Sequence, residues 1–574
     1  MSGILGLMDI AKRALAANQL GVEVTGNNIS NVNTPGYSRQ RAIFETSPAL
    51  PMPYGPLGYG VRVSGIERAF DPLVAARLDQ NTSMLADYQA RKADLDQVAS
   101  LFNETRDGGL SQLLSEFWDA WSDLANNPTG SGERQTLLGQ AQTLADAFSF
   151  RADQLVQARN DITMRIGPII EEINTHAARI AQLNGEIQAI ETPEHHANDL
   201  RDERQSELNQ LSELIGIRYY TTGDGTINVT LANGASLVQS MDSYSLRYEI
   251  TPGDTVAVIW QGPGGTEEDV TSGLNGGELS AHIAVRDTLI PQFQNDLDSL
   301  AQELIAGVNT LHSQGVGLEM LTTATSSYFV DSTAAPLQNN PSLAFGDRIL
   351  APGQFTVHVE DGSGGTAATV INITSTTSLA DLAAALDAVP NLNAAIVTNG
   401  SENRLQITAA SGYSFGVSAD TSNVLMALGV NNFFTGDNAW SLGVNNALVS
   451  DPDLIAAGQI DTLSGAHPQG DNRTALALVE LENQTVTGLG GLTFEDAYRQ
   501  LVTDIGLEAE EAGNKQDFYQ GLVDQFTELR DSVSGVSLDD ELTNLIRFQR
   551  AYQAAAQMIS VADEMLQALL GIKE

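Results

Sequence analysis

The chain of 574 residues contains no cysteine. That absence excludes disulfides, thiolate nucleophiles and cysteine-ligated metal sites together. Stability is therefore expected to come from packing or from assembly with other chains. Long apolar runs are missing as well. No stretch approaches the roughly 20 apolar residues that a membrane-spanning helix requires, so no membrane insertion is expected.

Basic residues are scarce relative to acidic ones. The chain has 29 Lys and Arg against 72 Asp and Glu, which gives a net charge of −43. Nucleic acids and anionic membrane surfaces are bound through clustered Lys and Arg, so neither is an expected partner. The main consequence of the acidity is solubility at high protein concentration.

Motifs of catalysis and cofactor binding are also absent from the sequence. It has no phosphate-binding P-loop, no dinucleotide-binding glycine motif, no HExxH and no GxSxG. His195 and His196 are adjacent, but a metal site would also need a third ligand at helical spacing, such as Asp199, and further partners elsewhere. The sequence therefore predicts no catalytic residues, no metal and no cofactor, and a protein that is not an enzyme. The alternative, a hydrolase within residues 345–435, lacks a recognisable nucleophile–base pair.

Apolar residues recur every seven positions near both ends of the chain. The C-terminal row comprises Leu538, Leu545, Tyr552, Ile559 and Leu566, and a neighbouring row includes Phe548 and Leu569. The N-terminal row comprises Met8, Leu15, Val22 and Ile29. A helix with such a seam needs a partner helix. We expect these side chains to pack the terminal helices against each other and against copies of the same protein.

The interior of the chain alternates between helical and strand-like periodicity. Residues 162–190 carry isoleucines at heptad spacing, and residues 217–275 show short alternating runs separated by turn residues. Residues 321–344 are predicted to be a linker. Ser378 and Asp381 form a variant capping box at the start of a short helix.

These patterns predict a mixed α and β multidomain protein. It would have coiled-coil-like terminal helices, a helical-bundle stalk and central antiparallel β domains. The predicted domains are a terminal helical polymerisation domain of residues 1–44 with 538–574, a helical core domain of 45–219 with 276–320 and 445–537, a β-hairpin-rich domain of 220–275, and an inserted small α+β domain of 345–440.

The segment TGNNISNVNTPGYSRQ, residues 25–40, resembles the N-terminal motif shared by axial proteins of the bacterial flagellum, which include rod, hook and hook-associated proteins. The motif residues are Asn27, Asn28, Asn31, Asn33, Pro35, Gly36 and Tyr37. Four further segments resemble the hook-associated protein 1 family at the hook–filament junction: residues 61–78, 198–217, 286–315 and 534–570.

The resemblance implies a structural subunit that polymerises at the hook tip and joins the hook to the filament, with a role in motility. Such proteins are secreted unfolded through the flagellar type III export apparatus and reside at the extracellular hook–filament junction. The implied partners are copies of itself in a ring, the hook protein, the second junction protein, and a cytoplasmic export chaperone at the C-terminal helix. The motif residues carry over as positions near the terminal helical domain, and the heptad residues as contacts between subunits.

Another axial protein, either the second junction protein or the hook protein, is the leading alternative. The long helical middle of this chain argues against the hook protein, which is mainly β beyond its termini. A hydrolase carried on the flagellum is the alternative from a different class.

Overall fold

The computed structural model describes residues 2–52, 55–103, 109–192, 196–462 and 464–571. They form two compact units, and each unit is assembled from separate stretches of chain. Unit 1 comprises Met1–Asp94, Asp161–Asp287 and Ala509–Glu574, and unit 2 comprises Leu95–Asn160 and Thr288–Glu508. The predicted boundaries of the four domains stay predictions.

The helices, in chain order, are α1 Ser2–Ser30, α2 Pro72–Leu101, α3 Leu110–Asn126, α4 Ser131–Ile190, α5 Asn198–Leu214, α6 Glu278–Ala284, α7 Ile290–His312, α8 Leu379–Asp387, α9 Val424–Leu428, α10 Asn446–Ser450, α11 Arg473–Leu481, α12 Phe494–Ser534 and α13 Leu538–Gly571. Within the described part of the chain, no helix combines the length and the apolar character needed to cross a membrane.

The strands are β1 Gln40–Thr46, β2 Leu50–Met52, β3 Gly55–Leu57, β4 Val61–Arg68, β5 Ile217–Thr221, β6 Ile227–Leu231, β7 Ser236–Gln239, β8 Asp242–Ser243, β9 Ser245–Ile250, β10 Val256–Gln261, β11 Glu267–Asp269, β12 Thr323–Thr325, β13 Gly353–Asp361, β14 Thr366–Ile373, β15 Leu392–Asn399, β16 Glu402–Ala409, β17 Tyr413–Ser418, β18 Phe434–Thr435 and β19 Gly443–Val444. Every strand pairing in the described residues is antiparallel. The predicted mixed fold class, with long terminal helices and antiparallel sheets, is confirmed.

The core of unit 1 is built on the isoleucine row of α4. Ile166, Ile173 and Ile180 are buried against Leu208 and Leu211 of α5. The sheets β5–β6–β7–β8 and β9–β10–β11 pack their apolar faces into the same cluster. The heptad spacing read from residues 162–190 therefore marks a buried face within the subunit. In the same unit, β1 pairs with β4, and this ribbon follows directly on the asparagine-rich segment.

Unit 2 is centred on aromatic side chains contributed by α3, α7 and the segment before β18. The rings of Trp121 and Phe433 lie 5.2 Å apart, and those of Phe433 and Phe434 meet edge to face at 4.9 Å. Edge-to-face contacts place the positive ring edge against the negative π face, which adds to the area buried.

Two three-stranded sheets, β14–β13–β17 and β12–β16–β15, accompany α8 in unit 2. The predicted capping box is confirmed at the start of α8. The backbone N–H of Asp381 donates to Ser378 Oγ at 3.2 Å, and the N–H of Ser378 donates to Asp381 Oδ2 at 3.0 Å. Both bonds satisfy donors that a helix N-terminus leaves without intrahelical partners.

The prediction that residues 321–344 form a linker is wrong. β12 adds a third strand to the sheet through β16, and Val330 bridges to Asn403. Val330, Leu337 and Leu343 are buried. The segment lacks helix or strand periodicity because it contributes one short strand and isolated anchor residues.

His312 at the end of α7 is fully enclosed and held neutral by its two neighbours. Its Nδ1–H donates to the carbonyl of Asn431 at 2.8 Å, and its Nε2 accepts from the N–H of Ala456 at 3.0 Å. Burial lowers the pKa of His312 to about 4. The same side chain in the unfolded chain takes up a proton near its ordinary pKa of 6.5.

We therefore predict that unit 2 loses stability as the pH falls from about 6.5 towards about 4, because the unfolded state binds the extra proton. At about pH 4, protonation of His312 in the unfolded chain should lower the free energy of unfolding by about 3 kcal/mol. Urea unfolding at pH values across this window should show a smaller acid loss for His312→Gln than for the wild type. His467→Gln, at a histidine nearer the surface, should keep the wild-type dependence. Equal pH dependence of His312→Gln and wild type would contradict the assignment.

Candidate functional site at the paired chain ends

The first and last helices of the chain pack along each other within one protomer. The buried contact is lined by small side chains, Ala11 and Ala17 on α1 and Ala555 and Ala562 on α13. Gly21 faces the ring of Phe548, and a Cβ at that position would lie 2.8 Å from a ring carbon. Small residues let the helix backbones approach closely, so the two ends of the chain form one structural element.

The predicted heptad residues flank this line of small side chains. Those that are half-buried within the protomer are Met8, Leu15, Val22, Ile29, Leu545, Phe548, Ile559 and Leu566. Leu538 and Tyr552 are exposed. The side chain of Leu569 lies outside the described residues. The role of this set in contacts between copies stays a prediction.

The predicted row of α13 that includes Phe548 and Leu569 also contains Ala555 and Ala562, and both alanines are buried. The buried Glu541, Ala555 and Ala562 and the half-buried Phe548 lie in one row of α13, at intervals of seven residues. The apolar pattern did not mark Glu541 as a member of this row, because a carboxylate carries no weight in a search for apolar seams.

Asn28 is the residue of the asparagine-rich motif that joins α1 to the rest of unit 1. Its Oδ1 accepts from the N–H of Gln40 at 2.9 Å and from the hydroxyl of Tyr37 at 2.8 Å. Its Nδ2 donates to the carbonyl of Gln40 at 2.8 Å and to Glu541 Oε2 at 3.1 Å. One buried amide thereby uses its full hydrogen-bonding capacity to connect α1, β1 and α13.

Glu541 is buried at the N-terminal end of α13 and completes this network. Its Oε1 accepts from Nε of Arg39 at 2.8 Å, and the backbone N–H of Arg39 donates to the carbonyl of Ser534 at 2.8 Å. A buried carboxylate requires such partners because its desolvation is costly. Its position in the buried row of α13 distinguishes it from the exposed Asp539 and Asp540 beside it.

Tyr37 keeps its proton in this setting. Burial, followed by the negative charges of Asp199, Asp202 and Glu541, raises the pKa of Tyr37 to about 12. The phenol therefore remains a hydrogen-bond donor to Asn28 over the physiological range.

Asp202 of α5 fixes the strand that follows the motif. Its Oδ2 accepts from the backbone N–H of Ser38 at 2.9 Å, and its Oδ1 accepts from Nη1 of Arg68 at 2.7 Å. These bonds are charge-assisted and lie in a largely buried position, which makes them stronger than neutral surface bonds. The motif is thus held on α5 as well as on α13.

The remaining motif residues form the turn between α1 and β1. Nδ2 of Asn31 donates to Oδ1 of Asn27 at 2.6 Å. Gly36 adopts a φ of +78°, which a glycine tolerates without strain. Asn33, Pro35 and Gly36 are exposed at the tip of the turn. The motif therefore divides into an anchored part around Asn28 and Tyr37 and an exposed tip.

The site contains no arrangement suited to covalent chemistry. His195 of the histidine pair lies outside the described residues. Among the residues that are described, no group of three His, Asp or Glu side chains is placed to hold a metal ion. The polar side chains of the site are engaged with one another, as expected of a structural joint.

Comparison with known proteins agrees with this geometry. The model of the flagellar hook-associated protein FlgK helical domain matches residues 95–325. Models of the flagella basal body rod protein and of the C-terminal region of the basal body rod FlgEFG protein match residues 8–37 and 531–572, which include most of α1 and all of α13. Flagellar hook-associated protein 1 of Escherichia coli (strain K12) is 27% identical over 99% of this chain and 100% of its own length.

Over almost its whole length the chain is similar to members of the flagellar hook-associated protein 1 family. Flagellar hook-associated protein 1 of Bacillus subtilis (strain 168) is 23% identical over 98% of this chain and 97% of its own. The structure of the flagellar hook junction protein FlgK from Burkholderia pseudomallei has the same fold, with a TM-score of 0.51 at 19% identity over 81% of this chain and all of that one. The family consists of structural proteins of the flagellum and not of enzymes, as the sequence predicted.

We predict that Asn28→Ala loosens the pairing of α1 with α13. The substitution leaves the backbone groups of Gln40 and one oxygen of Glu541 without their partner, at a cost of about 3 kcal/mol. Hydrogen exchange of the monomer should show faster exchange in both terminal helices and unchanged exchange in unit 2. Asn33→Ala, at the exposed tip of the same motif, is the matched control and should behave as wild type. Similar exchange in both variants would show that Asn28 does not hold the pair together.

Proposed function

We propose that this protein is a structural subunit that polymerises at the hook tip of the bacterial flagellum and forms the junction between hook and filament. The observation that carries the proposal is the joined pair of chain ends, α1 with α13, which retains an apolar outer surface. The similarity of the chain to the flagellar hook-associated protein 1 family supports a role in the flagellum.

The outer surface of α13 exposes large apolar side chains on both flanks of its contact with α1. They are Leu538, Leu542, Ile546, Met558, Val561 and Met565. We infer that so many exposed large apolar side chains on one helix mark an interaction site. A chain with a net charge of −43 gains solubility from its acidic surface, so exposed apolar side chains grouped on one helix are proposed to serve association.

The predicted heptad residues are the proposed contacts between copies. Their half-buried state within the protomer leaves part of each side chain available to a neighbour. Repetition of one contact around a closed ring buries both flanks of every α13. The proposed set is Met8, Leu15, Val22, Ile29, Leu538, Leu545, Phe548, Tyr552, Ile559, Leu566 and Leu569.

The hook protein and the second junction protein are the proposed partners above and below this ring. The models of basal body rod proteins that match the terminal segments support this, because helix pairs of one kind in different axial proteins provide matching surfaces for stacking. The alternative assignments are the second junction protein and the hook protein. Each of them predicts that deleting the gene removes a different layer of the flagellum.

Export precedes assembly in this proposal. The subunit leaves the cell unfolded through the type III apparatus, and the lack of cysteine avoids disulfides that would obstruct passage. Before export, a cytoplasmic chaperone covers the apolar face of α13, which would otherwise aggregate. The mature location is the extracellular hook–filament junction.

Electron microscopy of cells that lack the protein tests the proposal. Hooks without attached filaments, restored to complete flagella by the wild-type gene, are the expected result. Normal filaments in the deletion strain would overturn it, and loss of the hooks themselves would assign the chain to the hook.

We further predict that Ile559→Asp blocks filament attachment and weakens chaperone binding. The substitution places a charge in an apolar contact, and an unpaired buried charge costs several kcal/mol, roughly 3–5 by analogy with broken buried ion pairs. Residues 33–537 should melt as in the wild type. Gln557→Asp introduces the same charge on the exposed side of α13 and should have no effect. Normal swimming and wild-type chaperone affinity of Ile559→Asp would remove this row from the interface.

A further inference from the structure

A groove of about 350 Å³ lies on unit 2. It is bordered by α4, α7 and the turn that follows β18. Val156 and Pro291 give it apolar walls, Gln294, Asn295 and Asp298 give it polar groups, and Trp440 stands at its rim. A concave surface with an aromatic side chain and a few convergent polar groups has the composition of a small-molecule site.

Trp440 is 64% exposed, whereas Trp118 and Trp121 of the same unit are 3% and 0% exposed. An indole with more than half of its surface in solvent presents an open ring face. The exposure is not explained by a role in the core, and exposed large aromatics are characteristic of recognition surfaces.

The turn that carries Trp440 is internally braced. The backbone N–H groups of Asp437 and Asn438 donate to Oγ of Ser441 at 3.0 and 3.2 Å. The N–H of Ala439 donates to Oδ1 of Asp298 on α7 at 2.9 Å. The indole therefore stands on a fixed support, and little conformational entropy is lost when a ligand binds against it.

Three polar side chains of the groove have hydrogen-bonding capacity to spare. In the part of the chain that the structure describes, the amides of Gln294 and Asn295 make no side-chain hydrogen bond, and Asp298 uses only Oδ1. The groove thus offers two amides, each able to donate and accept, and one carboxylate oxygen that accepts.

A neutral sugar ring matches this set of groups. One face of a pyranose presents C–H groups, whose partial positive charge suits the negative face of an indole. Its hydroxyls donate to a carboxylate in charge-assisted bonds and exchange hydrogen bonds with amides. An anionic ligand would meet Asp298 in a chain of net charge −43. A cationic ligand would use Trp440 and Asp298 but leave both amides without a role.

We propose that the groove between α4, α7 and the Trp440 turn binds a neutral sugar residue. Trp440 is the stacking platform, and Asp298, Gln294 and Asn295 hold the hydroxyls. This activity is additional to polymerisation through the chain ends.

The test uses the full-length protein and three neutral probes, chitotetraose, cellotetraose and maltotetraose. Isothermal titration calorimetry measures affinity, and tryptophan emission reports on Trp440. At least one probe should bind with a millimolar or tighter dissociation constant and change the emission. Trp440→Ala should abolish both signals, and Trp440→Phe should retain part of the affinity. Asp298→Asn, which keeps the acceptor for Ala439, should weaken binding about tenfold. Leu476→Ala, at an exposed apolar residue of α11, should bind as wild type.

The proposal is overturned if none of the three probes binds the wild type, or if binding survives Trp440→Ala. It is also overturned if choline binds in their place in a Trp440-dependent manner, which would assign the groove to cations. A change in self-association of Trp440→Ala by sedimentation, without sugar binding by the wild type, would assign the groove to a second copy. If Trp440→Ala does not fold, Trp440→Phe and Asp298→Asn decide the question by the same titrations.

Discussion

The hydrogen bond between Asn28 and Glu541 joins residues that are 513 positions apart in the chain. The same amide reaches Gln40, so α1, β1 and α13 meet at one buried point. The entropy lost on closing a loop grows only with the logarithm of its length. A long interior can therefore be inserted between the two helices at little additional cost. The paired ends can remain constant while the sheets between them differ in size and number.

The polar side chains at this joint fix the position of α1 relative to α13 and have a structural role. A buried amide and a buried carboxylate are costly unless their partners are complete, so the network tolerates few arrangements of α1 relative to α13. The raised pKa of Tyr37 supports this network, because it keeps the phenol protonated as a hydrogen-bond donor to Asn28. Hydrophobic packing alone would allow the helices to slide by a turn, and the fixed hydrogen bonds oppose that shift.

Much of the fold could be predicted from periodicity. Ile166, Ile173 and Ile180 of α4 are buried as their spacing indicated, and Ser378 and Asp381 form the expected cap. The contact between α1 and α13 was expected in outline, but the part that the buried Ala17 and Gly21 take in it was not. Small side chains add little hydrophobicity, so their packing role depends on the partner helix. The buried residues in 321–344 were not predicted for a related reason, since isolated contacts with distant strands leave no local pattern in the sequence.

Because α1 pairs with α13, the helix pair can form within a subunit only when both helices are present. Since the interior of the chain lies between them, α1 must wait for the synthesis of all of that interior before α13 is available. A prematurely terminated chain retains an unmatched α1 and cannot form the joint, however well its interior folds. The formation of the α1–α13 pair thus distinguishes subunits that contain α13 from truncated ones.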